Sequence, residues 1–318
     1  MEETRSDVKA DVLHAEANMR SNKAVVQKPE VGEKQTNDRK MLYFGILALA
    51  IVAGAILAFM VASSTPPTIN TALDGKAVNS TSIALMESIA MNSTLANQVG
   101  MGLVSNPVVA AGNFTPLTLN GSPEILYMGA DYCPFCAVTR WGLILALMRF
   151  GNFSSLHYMT SSATDVFANE PTFTFYNSSY SSNLIRLVAV EEYANSPSGY
   201  GSGYVLLQVP TKSENHTFEM TDLNNTNVPA IDKGGIPFID FGNLSIQAAS
   251  PVSPQAICNS ASQCGTTWGE ILAALSNPSS AQAQAIIGTA NLYTAQICKM
   301  TNYQPAAVCN ATYIKRLA

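Results

Sequence analysis

The chain has 318 residues, a formal net charge of −5 and an apolar fraction of 47%. This acidic balance argues against a nucleic-acid partner, because nucleic-acid-binding proteins usually present a basic surface. A chain of this length and apolar content can bury one substantial core and does not depend on small disulfide-held modules.

The N-terminal part of the chain is predicted to anchor it in a membrane. Residues 1–40 carry eight basic and eight acidic residues without a sustained apolar period, so they are predicted to form a disordered tail. Residues 41–62 contain no charge over 22 positions. As a helix they span about 33 Å, so we expect one transmembrane helix acting as an uncleaved signal anchor. The small residues Ala62-Ser63-Ser64 leave cleavage as an alternative.

Charged residues beside this segment predict its orientation. Arg39 and Lys40 adjoin its N-terminal end, whereas the first basic residue after it is Lys76. The positive-inside rule therefore predicts a single-pass protein of the cell membrane with a cytoplasmic tail and an extracellular C-terminal domain. The absence of cysteine from the tail agrees, because disulfides persist outside the cytosol. Candidate glycosylation sequons all lie beyond the span, at Asn79, Asn92, Asn113, Asn120, Asn152, Asn177, Asn215, Asn224, Asn243 and Asn310.

Hydrophobic periodicity and turn signals predict a mixed helix and strand pattern beyond a linker and helical extension at residues 63–115. The predicted helices are Ser80–Val104, Ala137–Phe150, Thr267–Leu275 and Pro278–Met300. The predicted strands are Pro116–Leu119, Ile125–Met128, Leu156–Met159, Thr172–Tyr176, Leu184–Val190 and Tyr204–Val209. Asn120-Gly121 predicts a tight hairpin turn, and Gly151 is expected to end its helix as a left-handed cap.

The motif Cys133-Pro-Phe-Cys136 follows an apolar strand and opens a helix. Pro134 suits the first helical position, which places Cys133 near the N-cap and Cys136 one turn inside. The positive helix end stabilises a thiolate at Cys133 and lowers its pKa. We therefore predict a catalytic pair in which Cys133 attacks and Cys136 resolves, with Pro134 and Phe135 in supporting positions.

Two other interpretations of this cysteine pair are a permanent disulfide and half of a zinc site. A structural zinc site needs a second pair of ligands, and the chain has no second Cys-x-x-Cys, so no metal and no other cofactor is predicted. The remaining four cysteines favour two structural disulfides, with one local loop and one link from the last long helix to the end of the chain. Spacing alone leaves fifteen pairings open for the six cysteines. The four are Cys258, Cys264, Cys298 and Cys309.

Several motifs together resemble an archaeal family catalogued as domain of unknown function 929, over roughly residues 80 to 318. They are Gly129–Ala137, Arg140–Gly151, Pro171–Phe175, Gly235–Asp240 and Ala290–Cys298. The Cys-Pro-Phe-Cys motif is also similar to the active site of thioredoxin-like proteins. That resemblance implies a thioredoxin-like α/β domain at residues 116–276, with an insertion at about 160–230 and a C-terminal helical segment at 277–318.

The same resemblance implies roles for residues outside the motif. Pro237, at the start of an apolar strand, matches a cis-proline that packs against the cysteines, and Ile236 would present its backbone to a substrate. An ordinary trans proline of an edge strand is the alternative. The chain has no obvious counterpart of the buried acid that assists thiol deprotonation in thioredoxins, and Asp131 is the expected substitute.

The leading functional prediction is a membrane-anchored thiol-disulfide oxidoreductase, as oxidase or isomerase, acting on exported or surface proteins outside the cell. A reductase is disfavoured because one span without cysteine offers no route for electrons. The sequence identifies no redox partner. The alternatives are a glycosylated surface scaffold or binding module with a permanent disulfide, and a thiol metallochaperone for copper or haem maturation.

Overall fold

A mixed sheet around one buried strand, Ser122–Gly129, organises the computed structural model, which describes residues 71–199, 203–258 and 260–317. The strands are β1 (Val109–Ala110), β2 (Thr118–Leu119), β3 (Ser122–Gly129), β4 (Asn152–Thr160), β5 (Pro171–Ser181), β6 (Arg186–Glu191), β7 (Tyr193–Pro197), β8 (Tyr204–Leu206), β9 (Phe238–Phe241) and β10 (Ser245–Ala248). The α-helices are α1 (Ser80–Met91), α2 (Ser93–Val99), α3 (Pro134–Leu147), α4 (Lys212–Phe218), α5 (Trp268–Ala274), α6 (Ala281–Met300), α7 (Ala306–Cys309) and α8 (Thr312–Lys315).

The main sheet has the strand order β1-β10-β9-β3-β2, and β6 also pairs with β3. Strands β3 and β6 are parallel, whereas β9 is antiparallel to both β3 and β10. The hairpins β4–β5 and β7–β8 form separate two-stranded sheets. The predicted α/β class is therefore confirmed as a mixed sheet with helices. The stretch 160–230 that was predicted as an insertion contains β6, a strand of the main sheet.

Helix α3 lies at the centre of the larger core. Apart from Phe135, its residues are buried, and it packs along α6. Gly142 allows this close approach, because a Cβ at that position would lie 2.4 Å from the Cγ2 of Thr289 on α6. A smaller apolar cluster contains β3 and β9 residues, with Phe238 fully buried. The sheet thus has an apolar cluster on each side, and β3 is buried between them.

Several predicted elements have different bounds in the structure. The helix predicted over Ser80–Val104 is two helices, α1 and α2, because the Asn92 side chain accepts a hydrogen bond from the Leu95 N–H and caps α2. The helix predicted over Ala137–Phe150 begins at Pro134 and ends at Leu147. By contrast, the predicted Asn120-Gly121 turn joins β2 to β3, with φ angles of 52° and 76°.

The prediction of structural disulfides is confirmed. Cys258 bonds to Cys264, six positions away, and Cys298 bonds to Cys309, eleven positions away. All four cysteines are buried, so both bonds belong to the packed interior. The second bond ties the end of α6 to α7.

The described residues all fall within one unit of the chain, Pro66–Ala318. The predicted tail at 1–40, the predicted transmembrane helix at 41–62 and the first residues of the predicted linker lie outside the described residues. Within residues 71–199, 203–258 and 260–317, no helix combines the length and apolarity needed to cross a bilayer.

Candidate functional site

The Cys-Pro-Phe-Cys motif lies where β3 gives way to α3. Cys133 is the N-cap of α3, and Pro134 occupies the first turn, where a missing N–H costs no hydrogen bond. The Cys136 N–H donates to the Sγ of Cys133 at 3.3 Å. Both cysteines are free thiols, Cys133 is 6% exposed and Cys136 is fully buried. The local sequence therefore builds a thiol whose sulfur is held by a helix end.

The two thiols differ in acidity. Hydrogen bonding from the Cys136 thiol lowers the pKa of Cys133, and the Cys136 N–H and the charge of Arg140 add to this effect against the opposing effect of burial. Burial raises the pKa of Cys136 well above its usual value, and the Cys133 sulfur raises it further. A thiolate at this site is accordingly favoured on Cys133 and disfavoured on Cys136.

The segment before β9 lies against the reactive end of the pair. The carbonyl oxygen of Ile236 is 4.0 Å from the Sγ of Cys133, and the Ile236–Pro237 peptide bond is cis. These are the two residues that the sequence predicted to lie beside the cysteines. Phe135, between the two cysteines in the motif, is 40% exposed, so an apolar side chain faces solvent at the site.

A buried ionic cluster lies beneath the cysteines. Arg140, one turn after Cys136 on α3, is fully buried and its Nη1 donates to both carboxylate oxygens of Glu191 at 3.1 and 2.9 Å. The predicted supporting residue Asp131 is 1% exposed, and its Oδ1 lies 3.8 Å from the same Nη1. Burial raises the pKa of Asp131, and the charge of Arg140 opposes that rise. Asp131 therefore belongs to this cluster.

Glu170 is a second buried carboxyl group that the sequence analysis did not single out. It is fully buried, and neither of its carboxyl oxygens has a hydrogen-bond partner among the described residues. Burial raises its pKa well above the usual value, and the charge of Cys133 adds to this rise. Its neighbours Asn169 and Pro171 are typical of an exposed turn, so no local signal indicated a buried acid.

Aromatic rings flank the other side of the motif. The ring of Tyr132 stacks on Tyr204 of β8 at a centroid distance of 4.0 Å, with the planes 1° apart. The Tyr193 carbonyl of β7 accepts a hydrogen bond from the Asp131 N–H at 2.8 Å. The β7–β8 hairpin is thus attached to the loop that carries Cys133, and this contact was not predicted.

The predicted sequons are exposed with one exception. The exposed asparagines are Asn79, Asn92, Asn113, Asn120, Asn152, Asn177, Asn215, Asn224 and Asn310. Asn243 is half-buried, and its Nδ2 donates to the Thr115 carbonyl at 2.8 Å. Asn79 and Asn92 use their side chains as helix caps. Glycan attachment at all of these positions stays a prediction.

In the part of the chain that the structure describes, no group of three or more His, Cys, Asp or Glu side chains is arranged to hold a metal ion. The arrangement that the structure does show is a thiol pair at a helix N-terminus, over a buried ionic cluster and beside a backbone carbonyl.

Comparison with known protein families assigns this α/β chain to a family. Residues 109–299 match a family model described as Domain of unknown function (DUF929). The match covers more than half of the chain, and the chain belongs to this family. No curated protein matches the chain, and no solved structure matches it.

Proposed function

We propose that the protein is a thiol-disulfide oxidoreductase whose reactive pair is Cys133 and Cys136. The observation that carries this proposal is the asymmetry of the two thiols. The Cys133 sulfur caps a helix and accepts the Cys136 N–H at 3.3 Å, whereas the Cys136 side chain is fully buried. Such asymmetry suits an attacking thiol paired with a resolving thiol.

The reactions favoured here are oxidation and isomerisation of a protein substrate. In isomerisation the reduced Cys133 thiolate attacks a substrate disulfide and one substrate thiolate leaves. A substrate thiolate then attacks the substrate sulfur and releases Cys133, or Cys136 attacks the Cys133 sulfur and releases the substrate thiolate.

Oxidation starts from the other state of the pair. With the pair oxidised, a substrate thiolate attacks the Cys133 sulfur, the Cys133–Cys136 bond breaks and Cys136 leaves with the electron pair. A second substrate thiolate then attacks the substrate sulfur of the mixed disulfide and releases the Cys133 thiolate. Because Cys133 is the more acidic thiol, it is a good leaving group in that second step.

Proton transfer is assigned to the buried carboxyl of Glu170. Cys136 leaves as a thiolate in an apolar interior, where the charged form is disfavoured, so it needs a proton nearby. Burial, and in the reduced protein the charge of Cys133, raise the pKa of Glu170 well above its usual value, which favours its protonated form. Its two oxygens have no other partner among the described residues, so its proton is not committed to another hydrogen bond.

A thioredoxin-like fold is part of the proposal. The order β10-β9-β3-β6 supports it, with β6 parallel and β9 antiparallel to β3. The thiol helix follows β3, and Pro237 directly precedes β9. In this interpretation the hairpins β4–β5 and β7–β8 are additions to the common core, and α5 and α6 are its C-terminal helices.

The membrane anchor, the extracellular location and exported proteins as substrates also belong to the proposal, as does the archaeal origin that the resemblance implied. Support comes from the uncharged residues 41–62, from Arg39 and Lys40 before them, and from the sequons after them. Protease added to intact cells should remove the domain beyond residue 63 and spare the tail. Digestion of the tail alone would contradict this orientation.

The test of the redox proposal is thiol-disulfide exchange between the full-length chain and glutathione buffers of increasing reduction potential. We expect the Cys133–Cys136 disulfide to open and close reversibly, as followed by mass spectrometry after thiol alkylation, while Cys298–Cys309 stays oxidised throughout. The oxidised chain should also introduce disulfides into a reduced unfolded protein, and a Cys133→Ser chain should not. A pair that remains oxidised in all buffers would favour the surface scaffold with a permanent disulfide.

A further inference from the structure

Arg140 connects three parts of the site with one nitrogen. Its Nη1 donates to Glu191 on β6, to the Tyr127 hydroxyl on β3 at 3.3 Å, and to the Ala130 carbonyl at 3.2 Å. Its Nε and Nη2 have no partner among the described residues. The guanidinium is fully buried, and its ion pair with Glu191 offsets part of the cost of burying a cation.

The contact with Ala130 leads directly to the reactive cysteine. The Ala130 carbonyl also accepts the backbone N–H of Cys133 at 3.3 Å. One carbonyl oxygen therefore receives a hydrogen bond from the N-cap cysteine and another from Arg140. Because Arg140 is on α3 and Ala130 follows β3, this shared acceptor fixes the loop that places the Cys133 sulfur over the helix end.

Glu191 in turn fixes the guanidinium. Its carboxylate accepts the Phe175 N–H of β5 at 3.3 Å, and its own N–H donates to the Gln208 side chain at 2.8 Å. The Arg140–Glu191 pair thus joins α3 to β6 and β5. Because the Phe175 N–H holds its carboxylate and Gln208 holds its backbone, Glu191 gives the guanidinium one defined position.

We infer that Arg140 is a positioning residue for the thiol pair: held by Glu191, it fixes the Ala130 carbonyl and brings a fixed positive charge to the cysteine sulfurs. This inference rests on the proposed redox function and adds a determinant of thiol acidity to it.

Several titratable groups face Arg140 and act on the thiol pair together with it. They are Tyr127 from β3, Asp131 from the following loop, Glu170 from the segment before β5, Glu191 from β6 and the two cysteines of α3. The guanidinium lowers the pKa of both cysteines, whereas the charge of Glu191 raises that of Cys136. Removing the Arg140 charge should therefore raise the thiol pKa values, whereas removing the Glu191 charge leaves the guanidinium without its counter-charge and should lower them.

The experiment measures the pH profile of Cys133 alkylation by iodoacetamide in the reduced full-length chain, with the modified cysteine identified by mass spectrometry. Arg140→Met should raise the midpoint by about one pH unit, because a buried positive charge near the sulfur is lost. Glu191→Gln keeps the shape of the side chain but removes the counter-charge of Arg140. The guanidinium then acts on the sulfur without compensation, so the midpoint should fall. A role confined to holding the loop in place would instead move both midpoints in the same direction.

The double variant Arg140→Met, Glu191→Gln covers the case in which Arg140→Met does not fold, because it leaves no unpaired buried carboxylate. We expect its midpoint to equal that of Arg140→Met, because burial raises the pKa of Glu191 and the Arg140 charge is the largest effect that opposes that rise, so without Arg140 this side chain is neutral as Glu or as Gln. A double variant with the wild-type midpoint would overturn the inference, and so would a higher midpoint in Glu191→Gln. A wild-type midpoint at the ordinary cysteine value of about 8.5 would contradict the proposed function itself.

Discussion

The carbonyl oxygen of Ile236 lies 4.0 Å from the sulfur of Cys133. This contact places the half-buried backbone of Ile236, just before β9, beside the atom that in the proposed function bonds to a substrate cysteine. An extended substrate chain linked to Cys133 can therefore hydrogen-bond to the same segment. The contact accounts for how a site with few exposed side chains could hold a polypeptide.

The first prediction concerns the crossing of α3 and α6. Gly142→Ala places a Cβ 2.4 Å from the Cγ2 of Thr289, so it should lower the free energy of unfolding by about 2 kcal/mol. Gly269→Ala in α5 is the matched control, because a Cβ there meets no atom within 4 Å. That variant should be neutral or more stable by about 0.5 kcal/mol. Urea unfolding measures both, and equal effects would contradict the packing described here.

The second prediction concerns Asp240 on β9. It is fully buried, and burial raises its pKa from 3.8 to about 7. Between about pH 4 and pH 7 the folded protein retains a proton that the unfolded chain releases, so rising pH favours unfolding over this range and has no further effect above it. Asp240→Asn removes this contribution. Between pH 4 and pH 7 the difference in free energy of unfolding between the variant and the wild type should therefore shift in favour of the variant by roughly 2 to 4 kcal/mol.

Urea unfolding at pH 4, 5.5 and 7 tests the Asp240 prediction. Asp240→Asn can still accept the Asn243 N–H, which donates to Oδ1 at 2.5 Å in the wild type. Glu219→Gln, at an exposed carboxyl group, is the control and should keep the wild-type pH dependence. A pH dependence that Asp240→Asn leaves unchanged would show that Asp240 is not the group responsible.

The third prediction concerns Arg149, a buried cation that joins helices and has no carboxylate partner among the described residues. It donates to the Ala90 carbonyl at 2.9 Å, to the Thr294 hydroxyl at 2.7 Å and to the Asn291 Oδ1 at 3.0 Å. Arg149→Met leaves these buried acceptors unpaired and should cost about 3 kcal/mol. Arg316→Met, at an exposed arginine, should change stability by less than about 0.5 kcal/mol. Similar costs for the two variants would contradict this role.

Local signals in the sequence were sufficient for part of this structure. Pro134 predicted the start of α3, because proline suits the first helical turn. Asn120-Gly121 predicted the β2–β3 turn, since both positions need a left-handed backbone. Gly151 was misinterpreted as a helix cap. It lies in a close approach to β5 instead, where a Cβ would be 2.2 Å from the Ser181 carbonyl oxygen.

The ionic cluster of the site could not be predicted from local patterns. Arg140 and Glu191 are 51 positions apart and meet only because β6 pairs with β3. A charged residue in a helix that is apolar on all sides was a usable signal for Arg140, since such a charge needs a buried partner. Glu170 gave no such signal, because its burial depends on how the segment before β5 packs.

The most direct test of the assigned chemistry is trapping of mixed disulfides in cells that express full-length variants. In Cys136→Ala the Cys133 thiolate can still attack a substrate disulfide and displace one substrate thiolate. No Cys136 thiolate is then present to attack the Cys133 sulfur and release the bound substrate, so covalent complexes with exported proteins should accumulate. Cys133→Ala should accumulate none, because the remaining Cys136 thiol is fully buried. Non-reducing electrophoresis followed by mass spectrometry reads out both variants. Equal trapping by the two variants, or none by either, would contradict the assignment of Cys133 as nucleophile.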